Sequence, residues 1–139
     1  MSLKAFVLIL FFFQATSNCV AQNDSTAVSG AADTIFRTVQ VESKFEGGSE
    51  AWRNYLQRKL RVNTPVDNGA PPGRYTVVVS FIVDQEGRIS EVRAENNPGF
   101  GTAQEAVRVI KTGPNWVPAT QNGRKVKYRQ RQSITFLVD

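Results

Sequence analysis

The stretch Tyr75–Glu95 narrows the possible folds more than any other part of the chain. Tyr75, Val77, Val79, Phe81 and Val83 are apolar at period two, while Thr76 and Ser80 alternate with Val78 and Ile82 on the other face. Side chains of a strand point alternately to its two faces, so this spacing predicts a central strand with one face fully buried and the other half-buried. Asp84-Gln85-Glu86-Gly87 follows with turn chemistry, Gly87 being free to take positive φ. The chain is therefore expected to fold back into an antiparallel partner carrying Ile89, Val92 and Ala94.

Helical spacing appears on either side of this hairpin. Trp52, Tyr55, Leu56 and Leu60 form one apolar face between Glu50 and Leu60, with Arg53, Asn54, Gln57, Arg58 and Arg61 opposite. Ser49 or Gly48 is the expected N-cap, after the glycine pair Gly47-Gly48. That pair is a hinge and no phosphate loop, since it lacks the Lys-Ser/Thr and the preceding buried strand. Residues 62–73, with Pro65, Asn68-Gly69 and Pro71-Pro72-Gly73, read as a turn-rich loop. Thr102 with Glu105 three residues on reads as a capping box for a second helix whose stripe is Ala103, Ala106, Val107 and Ile110, stopped by Gly113-Pro114. Asn122-Gly123 predicts a tight turn into a last strand, Val126 to Val138. Ile35 to Val41 reads as a short strand or extended arm. Trp52 and Trp116 are expected as core fillers, while Phe100 between two glycines can be read as a contact residue or as a lid on the second helix. The order predicts an α+β fold, a three-stranded antiparallel sheet with two helices packed on one face.

The N-terminus carries a different signal. Lys4 precedes an apolar run from Ala5 to Phe13, then polar residues, then Cys19-Val20-Ala21 with small residues where a signal peptidase reads. Residues 1–21 are expected to be a cleavable signal peptide, because the apolar run from Ala5 to Phe13 is far shorter than the ~20 residues needed to cross a bilayer. A lipid-modified Cys19 and a retained membrane anchor are the alternatives. Residues 22–34 are small and polar and read as a flexible tether, at most ~45 Å long when extended; residues 35–139 form the folded domain. Cleavage removes the single cysteine, so no disulfide or thiol remains, and the chain contains no histidine. No metal site and no cofactor is expected. Loss of Lys4 with the leader lowers the net charge from +5 to +4, which suits either an acidic partner or a merely solvated basic face. Carboxylates are the remaining catalytic candidates, and Asp84, Glu86, Glu91 and Glu95 sit in a turn or on a polar face without an apolar pocket to raise one pKa. An enzyme is therefore not expected. Nor is nucleic-acid binding, because no recognition helix or aromatic RNA-binding motif accompanies the charge.

Several of these segments, taken in order, resemble the TonB C-terminal domain in the form common in Bacteroidetes. The resemblance covers about Val41 to Leu137: Phe45-Glu46-Gly47-Gly48 before the first helix, Tyr55-Leu56 within it, the hairpin from Val77 to Asp84 and Gly87 to Val92, Ala106 to Ile110 with Trp116-Val117-Pro118, and Ile134-Thr135-Phe136 near the end. Lys44 and Glu46 stand where this group usually has prolines. Its Tyr-Pro-x-x-Ala segment appears only as Asn63-Thr64-Pro65-Val66, and Ser133 replaces the proline before Ile-x-Phe. A cleavable leader and a short tether also depart from a transducer with a retained membrane helix and a long periplasmic rod.

The resemblance implies a periplasmic protein that binds a segment of an outer-membrane TonB-dependent receptor at the exposed edge of its last strand, by β-strand addition. The matching positions are Tyr128, Arg129, Gln130, Arg131, Gln132, Ser133 and Ile134. They overlap the densest basic run, Arg124, Lys125, Lys127, Arg129 and Arg131, which suits an acidic guest strand or guards the edge against aggregation. At Ser133 the backbone donor that proline would remove is present, and it can complete an internal ladder or receive a guest. The alternative is a basic envelope protein that binds peptidoglycan, or forms a homodimer through the sheet edge, without energy transduction.

Overall fold

The computed structural model describes residues 34–139, in which the apolar alternation of the central stretch becomes the longest uninterrupted ladder of the fold. Ten elements follow in order: β1 (Ile35–Phe36), β2 (Lys44–Phe45), α1 (Gly48–Lys59), α2 (Thr64–Asp67), β3 (Gly73–Val83), β4 (Ile89–Ala94), α3 (Thr102–Lys111), β5 (Trp116–Val117), β6 (Ala119–Gln121) and β7 (Arg124–Val138). Ile35–Asp139 is one compact unit. The expected leader, and the tether apart from Thr34, lie outside the described residues.

β7, β3 and β4 form the expected antiparallel sheet, with β3 in the middle. The sheet is larger than the sequence implied and it is mixed. β1 joins the far side of β7 in parallel, pairing Ile35 with Lys127 and Phe36 with Tyr128, and β6 pairs with the first residues of β7. β2 and β5 make a second, two-stranded sheet. Strands of two or three residues leave too short a period to be read from sequence, which is why four of the seven were missed or left open.

One bulge reconciles the hairpin with the core. Ser80 pairs with Arg93 but Ile82 pairs with Ser90, so three residues of β4 span two of β3, and Glu91 takes φ of 49° there. The extra residue brings Ile89 onto the same face as Val92 and Ala94, although their spacing is odd in a regular strand. The turn is held by Asp84, whose Oδ1 accepts from the N–H groups of Glu86 and Arg88, both at 2.9 Å. Gly87 at φ 85° is closed against Trp116, whose N–H donates to the Gly87 carbonyl.

Val77, Val79, Phe81 and Val83 are shut from solvent and meet Ala106, Val109 and Ile110 of α3, together with Ile134 and Phe136 of β7. Both long helices cover this one face. Phe45 lies 5.3 Å from Trp52, 5.2 Å from Tyr55 and 5.7 Å from Trp116 between ring centres, and Trp116 lies 5.0 Å from Phe81. The tryptophans therefore tie α1 to the sheet by close, tilted aromatic packing. Phe100 stands edge-on to Tyr75 at 5.6 Å, half-buried, so it packs on the start of β3.

The helix caps differ from the expected ones. α1 starts after Gly47 at φ 90°, and α3 after Gly101 at φ 75°, neither with a side-chain cap. Thr102 instead donates its hydroxyl to the Gly99 carbonyl. Glu105 makes no capping box because other donors claim it: Arg108, one turn on in the same helix, at 2.6 Å, and the distant Arg61 N–H at 2.8 Å. Burial works against its charge, but these donors outweigh it and hold the carboxyl below its ordinary value. In the loop of residues 62–73, Pro65 opens the short helix α2, its fixed φ fitting a helix start.

Candidate functional site

The site is a matter of which way the backbone of β7 faces, and three hydrogen bonds on β3 decide it. The Glu95 N–H donates to the Val78 carbonyl at 2.7 Å, the Val78 N–H to Asn96 Oδ1 at 2.8 Å, and Asn96 Nδ2 to the Thr76 carbonyl at 2.9 Å. Thr76 and Val78 thus spend their backbone groups on the β4 side. Along an antiparallel strand successive residues turn to opposite neighbours, so Val77, Val79, Phe81 and Val83 turn theirs to β7. The β3–β7 register runs unbroken, with Val83 opposite Tyr128, Phe81 opposite Gln130, Val79 opposite Gln132 and Val77 opposite Ile134. Tyr128, Gln130, Gln132 and Ile134 therefore bond inward. Arg129, Arg131 and Ser133, then Thr135 and Leu137, aim theirs outward. An independent contact agrees: the Gln130 side-chain amide donates to the Arg131 carbonyl at 3.2 Å, so that carbonyl lies outside the ladder.

On this outer border, β1 pairs only as far as Tyr128, and the chain bends away at Arg37 and Thr38. From Arg131 to Leu137 the outward groups have no strand partner among the described residues. The seven residues singled out in the sequence thus fall into two sets with different duties. Side chains of Tyr128, Gln130 and Ile134 are buried on the helix side, with Gln132 half-buried beside them. Burial and the nearby Glu42 carboxylate push the Tyr128 phenol above its ordinary value. Gln130 Oε1 accepts from the Ser43 hydroxyl at 2.7 Å, which fastens the approach to β2 over β7. Gln132, Ser49 and Trp52 border a cleft of about 150 Å³ next to this contact. Arg129, Arg131 and Ser133 project from the opposite face.

That opposite face was not singled out in the sequence beyond the basic run itself. Arg131, Ser80 and Arg93 lie in one cross-strand row. Arg129 Nη2 binds Glu91 at 2.8 Å and Arg131 Nη2 binds Glu95 at 2.9 Å. Arg37, Arg93, Arg129, Arg131 and Glu95 line a groove of about 480 Å³. Thr135 and Leu137, which extend this border, were also missed, because the period of β7 separates two sets of residues without saying which of them turns its backbone outward.

Carboxylate chemistry finds no support in the ionisation of these groups. Burial opposes the charge of Asp84 as it does that of Glu105, but hydrogen bonds from Arg88 and the Glu86 N–H bring it below its ordinary value. Both are shifted in the direction opposite to a general acid's need.

No match was found among curated proteins or among solved structures. Residues 76–138, from the fourth residue of β3 through the end of β7, match the family described as Gram-negative bacterial TonB protein C-terminal. That span holds β4, α3, the short strands β5 and β6, and the whole free border of β7. Over those residues the chain is similar to the TonB C-terminal family, the same family that its ordered segments resemble.

Proposed function

We propose that this is a periplasmic protein-binding domain of TonB-dependent transport, which receives an extended segment of an outer-membrane receptor as an added strand along β7. The observation that carries this reading is the run of outward backbone groups at Arg131, Ser133, Thr135 and Leu137, unpaired by any strand among the described residues. Unpaired N–H and C=O groups on an extended edge are matched by a guest backbone, which gives affinity without demanding a particular sequence. Ser133 belongs to this set. Thr135 does too, and its N–H is the better one to remove as a test, because the resembling family itself carries a proline at the place of Ser133.

The experiment uses the exported protein purified from the periplasm and labelled peptides from TonB-dependent receptor plugs. Peptide binding that is lost in Thr135→Pro and kept in Thr135→Ala, with the circular dichroism spectrum unchanged in both, is the expected result. Binding unaffected by Thr135→Pro overturns strand addition at this border. Retention on peptidoglycan sacculi with no affinity for any receptor peptide overturns the receptor assignment, and a dimer that dissociates on Thr135→Pro makes the second strand another copy of this chain.

A further inference from the structure

From the groove on the open face of the sheet we infer the chemistry of the guest: a strand that presents acidic side chains on the face carrying Arg129 and Arg131. This rests on strand addition along β7 as proposed above. Four arginines, Arg37, Arg93, Arg129 and Arg131, line the groove, and the acids answering them are Glu91 and Glu95. Two guanidinium charges are left over. Arg37 and Arg93 form no ion pair among the described residues, and both are exposed. Arg129 is only 13% exposed; Glu91 holds one of its terminal nitrogens, while the other, Nη1, is shut from water without a hydrogen-bond partner. A half-buried charge that is incompletely answered is weakly screened, so the floor of the groove keeps a strong positive field.

The position of the groove ties it to the free border. Arg129 and Arg131 belong to the strand the guest would join, Arg37 stands where β1 leaves that border, and Arg93 closes the groove from β4. A strand added beside β7 lies about 4.8 Å away and alternates its side chains between the two faces. Those on the open face come within cross-strand distance of Arg131 and Ser133, about 5 Å between Cβ atoms. A carboxylate there meets planar guanidinium forks able to bind it with two parallel hydrogen bonds. Side chains on the other face meet the cleft beside Gln132 and Trp52, which has room for one apolar group. The fitting guest therefore alternates acid with apolar residue.

Two eight-residue peptides test this, one alternating Glu with Val and the other identical but with Gln for Glu, titrated by fluorescence anisotropy against the exported protein and its variants. The Glu peptide is expected to bind at least tenfold more tightly at low salt. That advantage is expected to shrink in 0.5 M salt and to disappear in Arg37→Gln/Arg131→Gln. Arg37→Gln alone, at a side chain without an ion pair among the described residues, guards against a folding defect in the double variant and should remove part of the advantage. Equal affinity for the two peptides, with both lost in Thr135→Pro, overturns the acidic preference and leaves strand addition standing. A Glu preference that survives Thr135→Pro overturns strand addition while the arginine groove stands. Failure of both peptides to bind overturns both.

Discussion

Proline substitution at neighbouring positions of β7 should have opposite consequences, because the strand's backbone alternates between an inner ladder and an outer border. Gln132 lies opposite Val79, whose backbone faces β7 and whose side chain is fully buried. Gln132→Pro removes the donor for that carbonyl and leaves a buried acceptor unsatisfied, which costs about 1–3 kcal/mol before any distortion by the ring. A small domain has only about 5–15 kcal/mol to lose. Ser133 is exposed and its N–H points away from β3, so Ser133→Pro removes no internal bond, and the expected cost is below about 1 kcal/mol. Preceding residues are already extended, the conformation that proline imposes on them. With a urea slope of about 1–3 kcal/mol per molar, Gln132→Pro should lower the unfolding midpoint by roughly 1 M or more, and Ser133→Pro by a few tenths. Gln132→Ala and Ser133→Ala serve as controls for the lost side chains. Equal destabilisation by the two prolines, or the reverse order, would refute the assignment of outward groups on which the proposed docking depends.

Three further outcomes follow from the packing. Gly87→Ala forces an alanine into left-handed backbone at about 1–2 kcal/mol, and its Cβ would overlap the Trp116 carbonyl oxygen, so thermal unfolding should shift well below that of Gly123→Ala, where the same Cβ meets open space. Phe81→Ala should cost about 3–5 kcal/mol in chemical denaturation, since Phe81 is fully buried against Trp116 and the resulting cavity has rigid walls. Glu105 has its carboxyl pKa depressed in the folded state, so its contribution to stability is present above the unfolded value and is lost as pH falls through the folded one. Unfolding free energy measured between pH 6 and pH 3 should therefore fall less steeply in Glu105→Gln than in the parent; identical slopes would show that the Arg108 and Arg61 bonds do not set it.

Local pattern determined a good deal of this protein. Tyr75 to Val83 could be read as the central strand because every second residue is apolar, and Asp84 to Gly87 as its turn because few other residues supply those hydrogen bonds and that φ. Both long helices were legible from their apolar stripes, and the order of segments was enough to suggest the TonB C-terminal family. What the chain alone leaves open are facts about pairs of residues far apart in sequence. Glu105 has the spacing of a capping residue, but Arg61, 44 positions away, claims its oxygen. Period two divides β7 into two sets without saying which set bonds inward; only the register with β3, and the Val78 bonds that turn β3's other side to β4, place Ser133 on the border and Gln132 in the ladder. The arginine groove is likewise assembled from β4, β7 and the bend after β1. Sequence periodicity specifies which face a side chain takes, whereas the neighbour a backbone group meets is decided when distant strands pair.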